Sequence, residues 1–114
     1  MSDPGIRRED GDMIIEHAIL PVRPGHEAEF EAAIRRARRL IAVQPGFRRM
    51  TVSRSAETPN EYLLLVEWAT IDAHTKGFRL SPEYSEWKAL LHHFYEPFPV
   101  VEHFAPIELE ESAQ

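Results

Sequence analysis

The chain has 114 residues, 43% of them apolar and 28% charged, with a formal net charge of −6 and no cysteine. That length holds one compact domain, because domains run from about 50 to 250 residues, and it is too short for a TIM-barrel or Rossmann-type cofactor enzyme. The missing cysteine excludes thiol catalysis, iron–sulfur ligation and thiolate zinc sites, and it fits a reducing compartment. A small enzyme that works with few groups, or a small binding module, remains.

The composition is that of a globular domain, and its acidity argues against nucleic acid as a partner. No stretch approaches the roughly 18 apolar residues of a membrane-spanning helix. The opening MSDPGIRREDGD is too polar for the apolar core of a secretory signal. A cytoplasmic protein with no membrane partner is therefore expected, with residues 1–12 as a flexible N-terminal arm.

Met13 to Val22 (MIIEHAILPV) is apolar, β-branched and stopped by Pro24-Gly25, which reads as a first strand. On it Ile15, His17 and Ile19 share one face, and Glu16, Ala18 and Leu20 the other. From His26 to Val43 the period becomes helical: Phe30, Ala33, Ile34, Ala37 and Ile41 form one stripe, and Pro45-Gly46 ends the helix. Its early glutamates and late arginines suit the helix dipole. Arg35, Arg36, Arg38 and Arg39 are read as a solvated face rather than a nucleic-acid patch.

Phe47 to Arg54 reads as a second strand and Tyr62 to Thr70 (YLLLVEWAT) as a central third, with Leu64, Val66 and Trp68 on one face and Leu63, Leu65 and Glu67 on the other. Thr70 is placed to cap a helix over Ile71 to Arg79. Ser81-Pro82 starts a second piece whose Trp87, Leu90, Leu91 and Phe94 face the sheet. Pro99 to Ile107 is a fourth strand before an acidic tail at 108–114. The order β-α-β-β-α-β predicts a ferredoxin-like α+β sandwich over residues 13–107, a four-stranded antiparallel sheet with both helices on one face. The opposite face, assigned Leu63, Leu65 and Leu20, would be more apolar than a monomer exposes, so a homodimer through the open sheet face is expected.

Six histidines are the chemical resource of the chain. His92 and His93 are adjacent and diverge by about 100° on a helix, so they do not share a metal. His26 is read as a surface residue; Arg79 and Lys88 are read as solvated, with selection of an anionic substrate as the alternative. If His17 and Trp68 both use the helix-facing side, they floor a cleft roofed by His74 and Phe78, which are one turn apart on the next helix. His17 and His74 are then the catalytic candidates, each able to move a proton near neutral pH, with Trp68, Phe78 and His103 as substrate-binding walls. No metal site is expected.

The strand end Glu67-Trp68, the following Ala73-His74, the turn at Phe78, the last strand Glu102-His103-Phe104 and the start MIIEHAILPVRPGHEAEFEAAI together resemble the antibiotic biosynthesis monooxygenase (ABM) superfamily over residues 13–107. The resemblance implies a dimeric α+β barrel with one cleft per protomer. It also implies a cofactor-independent monooxygenase that oxidises a small aromatic of phenol, naphthol or hydroquinone type with dioxygen. The haem-degrading branch of the same fold uses a first-strand asparagine, a third-strand tryptophan and a helical histidine ligand. Trp68 matches that set and His74 is the candidate ligand, but the first-strand position is His17 and the histidine comes earlier after the tryptophan than in that branch. A non-oxidative isomerase of a small carbonyl compound and a ligand-binding dimer without chemistry complete the alternatives.

Overall fold

A computed structural model describes residues 13–109. The expected arm at 1–12 and positions 110–114 of the acidic tail lie outside them. In chain order the elements are β1 (Ile14–Pro21), α1 (Glu27–Ala42), β2 (Phe47–Arg54), β3 (Glu61–Trp68), a π-helical segment (Ala73–Phe78), α2 (Pro82–Leu91), a 3-10 turn (His92–Phe94) and β4 (Val101–Phe104). The sheet order is β2-β3-β1-β4, and every neighbouring pair is antiparallel. This is the ferredoxin-like α+β sandwich expected from the order of elements.

The core lies between one sheet face and the helices. Ala18 and Leu20 of β1 and Tyr62, Leu64, Val66 and Trp68 of β3 pack against Phe30, Ala33, Ile34, Ala37, Leu40 and Ile41 of α1 and Trp87 and Leu91 of α2. The stripe on α1 is the one its spacing predicts, with Leu40 added. The four arginines on its far side are exposed, as a solvated face requires.

Two details position the region after β3. Gly46 adopts φ +87°, and a Cβ built there would stand 2.7 Å from the Ala73 Cβ, so only glycine lets the α1–β2 turn press against the π segment. The Gly46 carbonyl also accepts the Ala69 N–H at 2.7 Å. Thr70 Oγ1 accepts the Ala73 N–H at 3.0 Å, the cap its position predicts. The segment capped in this way is not the expected α-helix, however: the Arg79 N–H bonds to the His74 carbonyl at 3.0 Å, which closes a wider π turn. Ser81 does precede α2 in extended geometry with proline next, but its hydroxyl donates to the Phe78 carbonyl at 2.7 Å instead of capping α2.

β4 is shorter than expected, four residues within Pro99 to Ile107. Pro99 and Pro106 lack the N–H that a ladder needs, which confines pairing to the residues between them.

The main correction concerns the faces of β1. Leu20 is 2% exposed and belongs to the helix side, so it is not part of the open face. The register pairs Glu16 with Val66 and His17 with Leu65, and a period of two carries Glu16, Ala18 and Leu20 inward together. The open face instead holds Ile15, His17 and Ile19 with Leu63, Leu65 and Phe104.

Candidate active site

The sheet register decides which groups meet. Directly inside the helix-facing surface, Glu16 is 6% exposed, and its Oε1 accepts the indole N–H of Trp68 at 2.9 Å. His74, from the π segment, places Nε2 3.5 Å from the same oxygen and Nδ1 2.9 Å from Nε2 of His103. Glu16 and His103 are opposite one another across the β1–β4 ladder, which brings the third member into range. The Trp68 ring stacks on His74 with centroids 5.4 Å apart and planes 17° apart, fixing the imidazole. The result is a chain, Glu16–His74–His103, buried at Glu16 and His74, half-buried at His103 and held by Trp68.

Burial sets the proton affinities. It pushes the Glu16 carboxyl above its usual value, against the Trp68 N–H and the Arg79 charge, both of which favour the anion. Burial, then Arg79, then His103 push His74 down from 6.5 to about 3. His103 is also lowered, by burial and then by Arg79. Both imidazoles are therefore neutral at pH 7. A neutral pair sharing one hydrogen bond, beside a carboxyl with raised proton affinity, lets one proton occupy either end of the chain.

The chain borders a cavity of about 350 Å³, a size suited to a small ligand. Glu16 and His74 contribute to its wall, Phe78, Tyr84, Trp87 and Tyr95 supply aromatic surface, and Arg79 and His92 add polar edges. Phe78 meets both Tyr84 and Trp87 edge-on, at 5.1 and 5.3 Å between centroids. Tyr84 and Tyr95 are held protonated, chiefly by burial. A slightly smaller groove of about 320 Å³ lies elsewhere, between α1 and β2 around Arg35, Arg38 and Tyr62, far in the sheet order from the histidine chain.

Of the five residues singled out from the sequence, the structure brings Trp68, His74, Phe78 and His103 together. Phe78 lines the cavity, whereas Trp68 stands behind His74 and His103 behind it on the other side. His17 is corrected: it points to the open face, its ring 5.4 Å from Phe104 and its Nδ1 4.0 Å from Glu102, and it does not share the cleft with Trp68. His26 pairs with Glu29 on the surface at 2.8 Å. The adjacent histidines split, His92 lining the cavity and His93 exposed. Sequence reasoning missed Glu16 and preferred a solvated Arg79 to one that selects an anionic substrate. The signal for Glu16 was present as a lone carboxylate in phase with Ala18 and Leu20.

The antibiotic biosynthesis monooxygenase family profile matches residues 13–90. The chain belongs to this family. It is 50% identical to protein YczJ of Bacillus subtilis (strain 168), an uncharacterised protein, over 95 residues that make up 83% of this chain and all of the relative. A structure from Bordetella bronchiseptica, classed with the same family, superimposes with a TM-score of 0.81 at 37% identity, covering 85% of this chain and 99% of the other. SnoaB, a cofactor-independent oxygenase from Streptomyces nogalater, has the same fold at a TM-score of 0.77 and 24% identity, over 89% of this chain and 99% of its own.

Haem does not fit this family member through His74. Its side chain is 4% exposed, with one ring nitrogen facing Glu16 and the other bonded to His103, so it offers no lone pair to an iron in the cavity. Among the described residues no three His, Asp or Glu side chains group as a metal site, and no helix is long and apolar enough to cross a membrane.

The depressed His74 has a consequence for stability. In the folded chain it stays neutral down to about 3, while the unfolded chain protonates it near 6.5. Between those values the unfolded state binds the extra proton, so the contribution of neutral His74 is complete above 6.5 and is lost as pH falls towards 3. The stability of the native chain minus that of His74→Gln, measured by urea unfolding, should fall by up to about 1.4 kcal/mol per pH unit as pH drops from 6.5 to 4.5. A difference that does not change with pH contradicts the buried neutral state.

Proposed function

We propose that this family member is a cofactor-independent monooxygenase that oxidises a small aromatic hydroxy compound, of phenol, naphthol or hydroquinone type, with dioxygen. The observation that carries the reading is a buried carboxyl of raised proton affinity in the wall of an aromatic cavity, linked to two neutral histidines. Family membership supports the reaction class, and SnoaB supports chemistry without a resident cofactor.

The role of base falls to Glu16 in this reading. Both nitrogens of His74 are turned towards Glu16 and His103, whereas Glu16 engages only Oε1 among the described residues and lines the cavity. For 1-naphthol, Glu16 takes the hydroxyl proton and the naphtholate gives one electron to dioxygen. The naphthoxyl radical and superoxide then join at the carbon para to the oxygen, and the proton held by Glu16 passes to the peroxide. Loss of that ring hydrogen with cleavage of the O–O bond releases water and leaves 1,4-naphthoquinone. One naphthol and one dioxygen thus become one quinone and one water, with no external reductant. His74 and His103 act as positioning residues that relay protons between Glu16 and the β4 edge. The dry aromatic walls orient the ring and strengthen the electrostatics.

A second copy of the chain is the proposed cover for the open sheet face. Ile19 is 43% and Phe104 50% exposed there, beside Ile15, Leu63 and Leu65. These apolar residues lie across β3, β1 and β4, with His17, Glu67 and Glu102 among them on the same face. Light scattering at micromolar concentration should give twice the chain mass; the mass of one chain contradicts the dimer.

Oxygen uptake with phenol, 1-naphthol and hydroquinone tests the reaction. At least one should be consumed with equimolar dioxygen, and Glu16→Gln should lower kcat by about 10²–10⁴, the usual worth of a general base. His103→Ala should shift the pH profile of kcat, while His17→Ala, on the other face, keeps the native rate. No uptake with any of the three, or a Glu16→Gln variant as fast as the native chain, contradicts the reading.

A further inference from the structure

Arg79 has no evident structural task. It follows Phe78 at the end of the π segment, and the bond from its own N–H to the His74 carbonyl ties its backbone to the histidine chain. Five other arginines, Arg23, Arg35, Arg39, Arg49 and Arg54, each have a carboxylate oxygen within 4.0 Å. The exposed Arg79 guanidinium, like those of Arg36 and Arg38, has no such partner among the described residues. It borders the cavity instead. Its charge also reaches the inner wall, where it opposes protonation of His74 and His103 and favours the anions of Glu16 and Tyr84.

An arginine so placed is a fork of donors without an acceptor, at the edge of a cavity whose remaining surface is largely aromatic. The group that satisfies it is a planar monoanion. A carboxylate matches the fork with two parallel hydrogen bonds. A dianionic phosphate would bring a second negative charge beside Glu16 with no second cation among the cavity residues. The same geometry orients the ligand: its carboxylate faces Arg79, away from Glu16, and its hydroxyl is left to face the base.

We propose that Arg79 is the specificity residue of the cavity and selects aromatic hydroxy acids, single ring systems bearing both a hydroxyl and a carboxylate, over neutral aromatic alcohols. The assignment rests on the proposed role of Glu16 as the group that meets the hydroxyl, so its test reads binding apart from turnover.

The probes are 5-hydroxy-1-naphthoate, ionised at pH 7 and carrying its carboxylate on the ring remote from the hydroxyl, and 1-naphthol, which has the same ring and hydroxyl but no carboxylate. Binding is followed by calorimetry and by quenching of Trp87, which lines the cavity. The native chain should bind the hydroxy acid about 10- to 100-fold more tightly than the naphthol, the worth of a charge-assisted hydrogen-bonded pair. In Arg79→Gln that ratio should fall to near one. In Arg79→Lys, which keeps the charge but not the fork, it should be intermediate. Circular dichroism checks that each variant is folded. A ratio near one in the native chain, or an undiminished ratio in Arg79→Gln, overturns the assignment. Oxygen uptake on the same probes separates the two claims. An Arg79-dependent preference without oxygen consumption upholds the selectivity and defeats the monooxygenase reading. Oxygen consumption with a preference unaltered in Arg79→Gln does the reverse.

Discussion

The contact between Glu16 and Trp68 organises the rest of the site. A carboxyl in the middle of a core strand is costly to bury, and a single indole N–H offsets only part of that cost. The strand accepts it because the neighbouring inward positions are Ala18 on β1 and Val66 on β3, which leave space beneath the π segment. Into that space His74 descends, stacked on the same indole and within reach of the same carboxyl oxygen. Trp68 therefore has two tasks at once: its edge holds Glu16 and its face holds His74.

The π segment is the second requirement. An ordinary α-helical turn would carry residues 74 to 79 round by a different angle, and the single wide turn instead brings His74, Phe78 and Arg79 to the same cavity. The turn is kept in place from behind, where Gly46 lets the end of α1 approach Ala73 without a side chain between them. Packing on Ala73 thus supports the segment from which His74 reaches the carboxyl. Sequence, local geometry and electrostatics meet at this point: burial raises one group, lowers another, and leaves the relay neutral.

The fold was readable because its signals were redundant. The α1 stripe, the Pro-Gly stops and the nearly continuous β3 run each pointed to the same topology. The site was only half readable. Trp68, His74, Phe78 and His103 could be named from their types and spacing, but β1 is apolar on both faces, with Ile15 and Ile19 against Ala18 and Leu20. Alternation alone therefore could not say whether His17 or Glu16 turns inward. That choice is made by the register with β3, a tertiary fact. The π turn was hidden for a similar reason, since periods of 3.6 and of a wider turn are indistinguishable over six residues. The sequence left Arg79 between a solvated and an anion-selecting reading because it is both exposed and at a cavity edge.

The measurement that bears most directly on this account is the ionisation of Glu16 itself. Carboxyl infrared bands followed through a pH titration, with Glu16→Gln as the difference reference, isolate that one group. The Glu16 proton should be retained above 4.5, the ordinary glutamate value. Titration at or below 4.5 would mean an exposed or ion-paired carboxylate and would contradict the buried base on which the proposed chemistry stands.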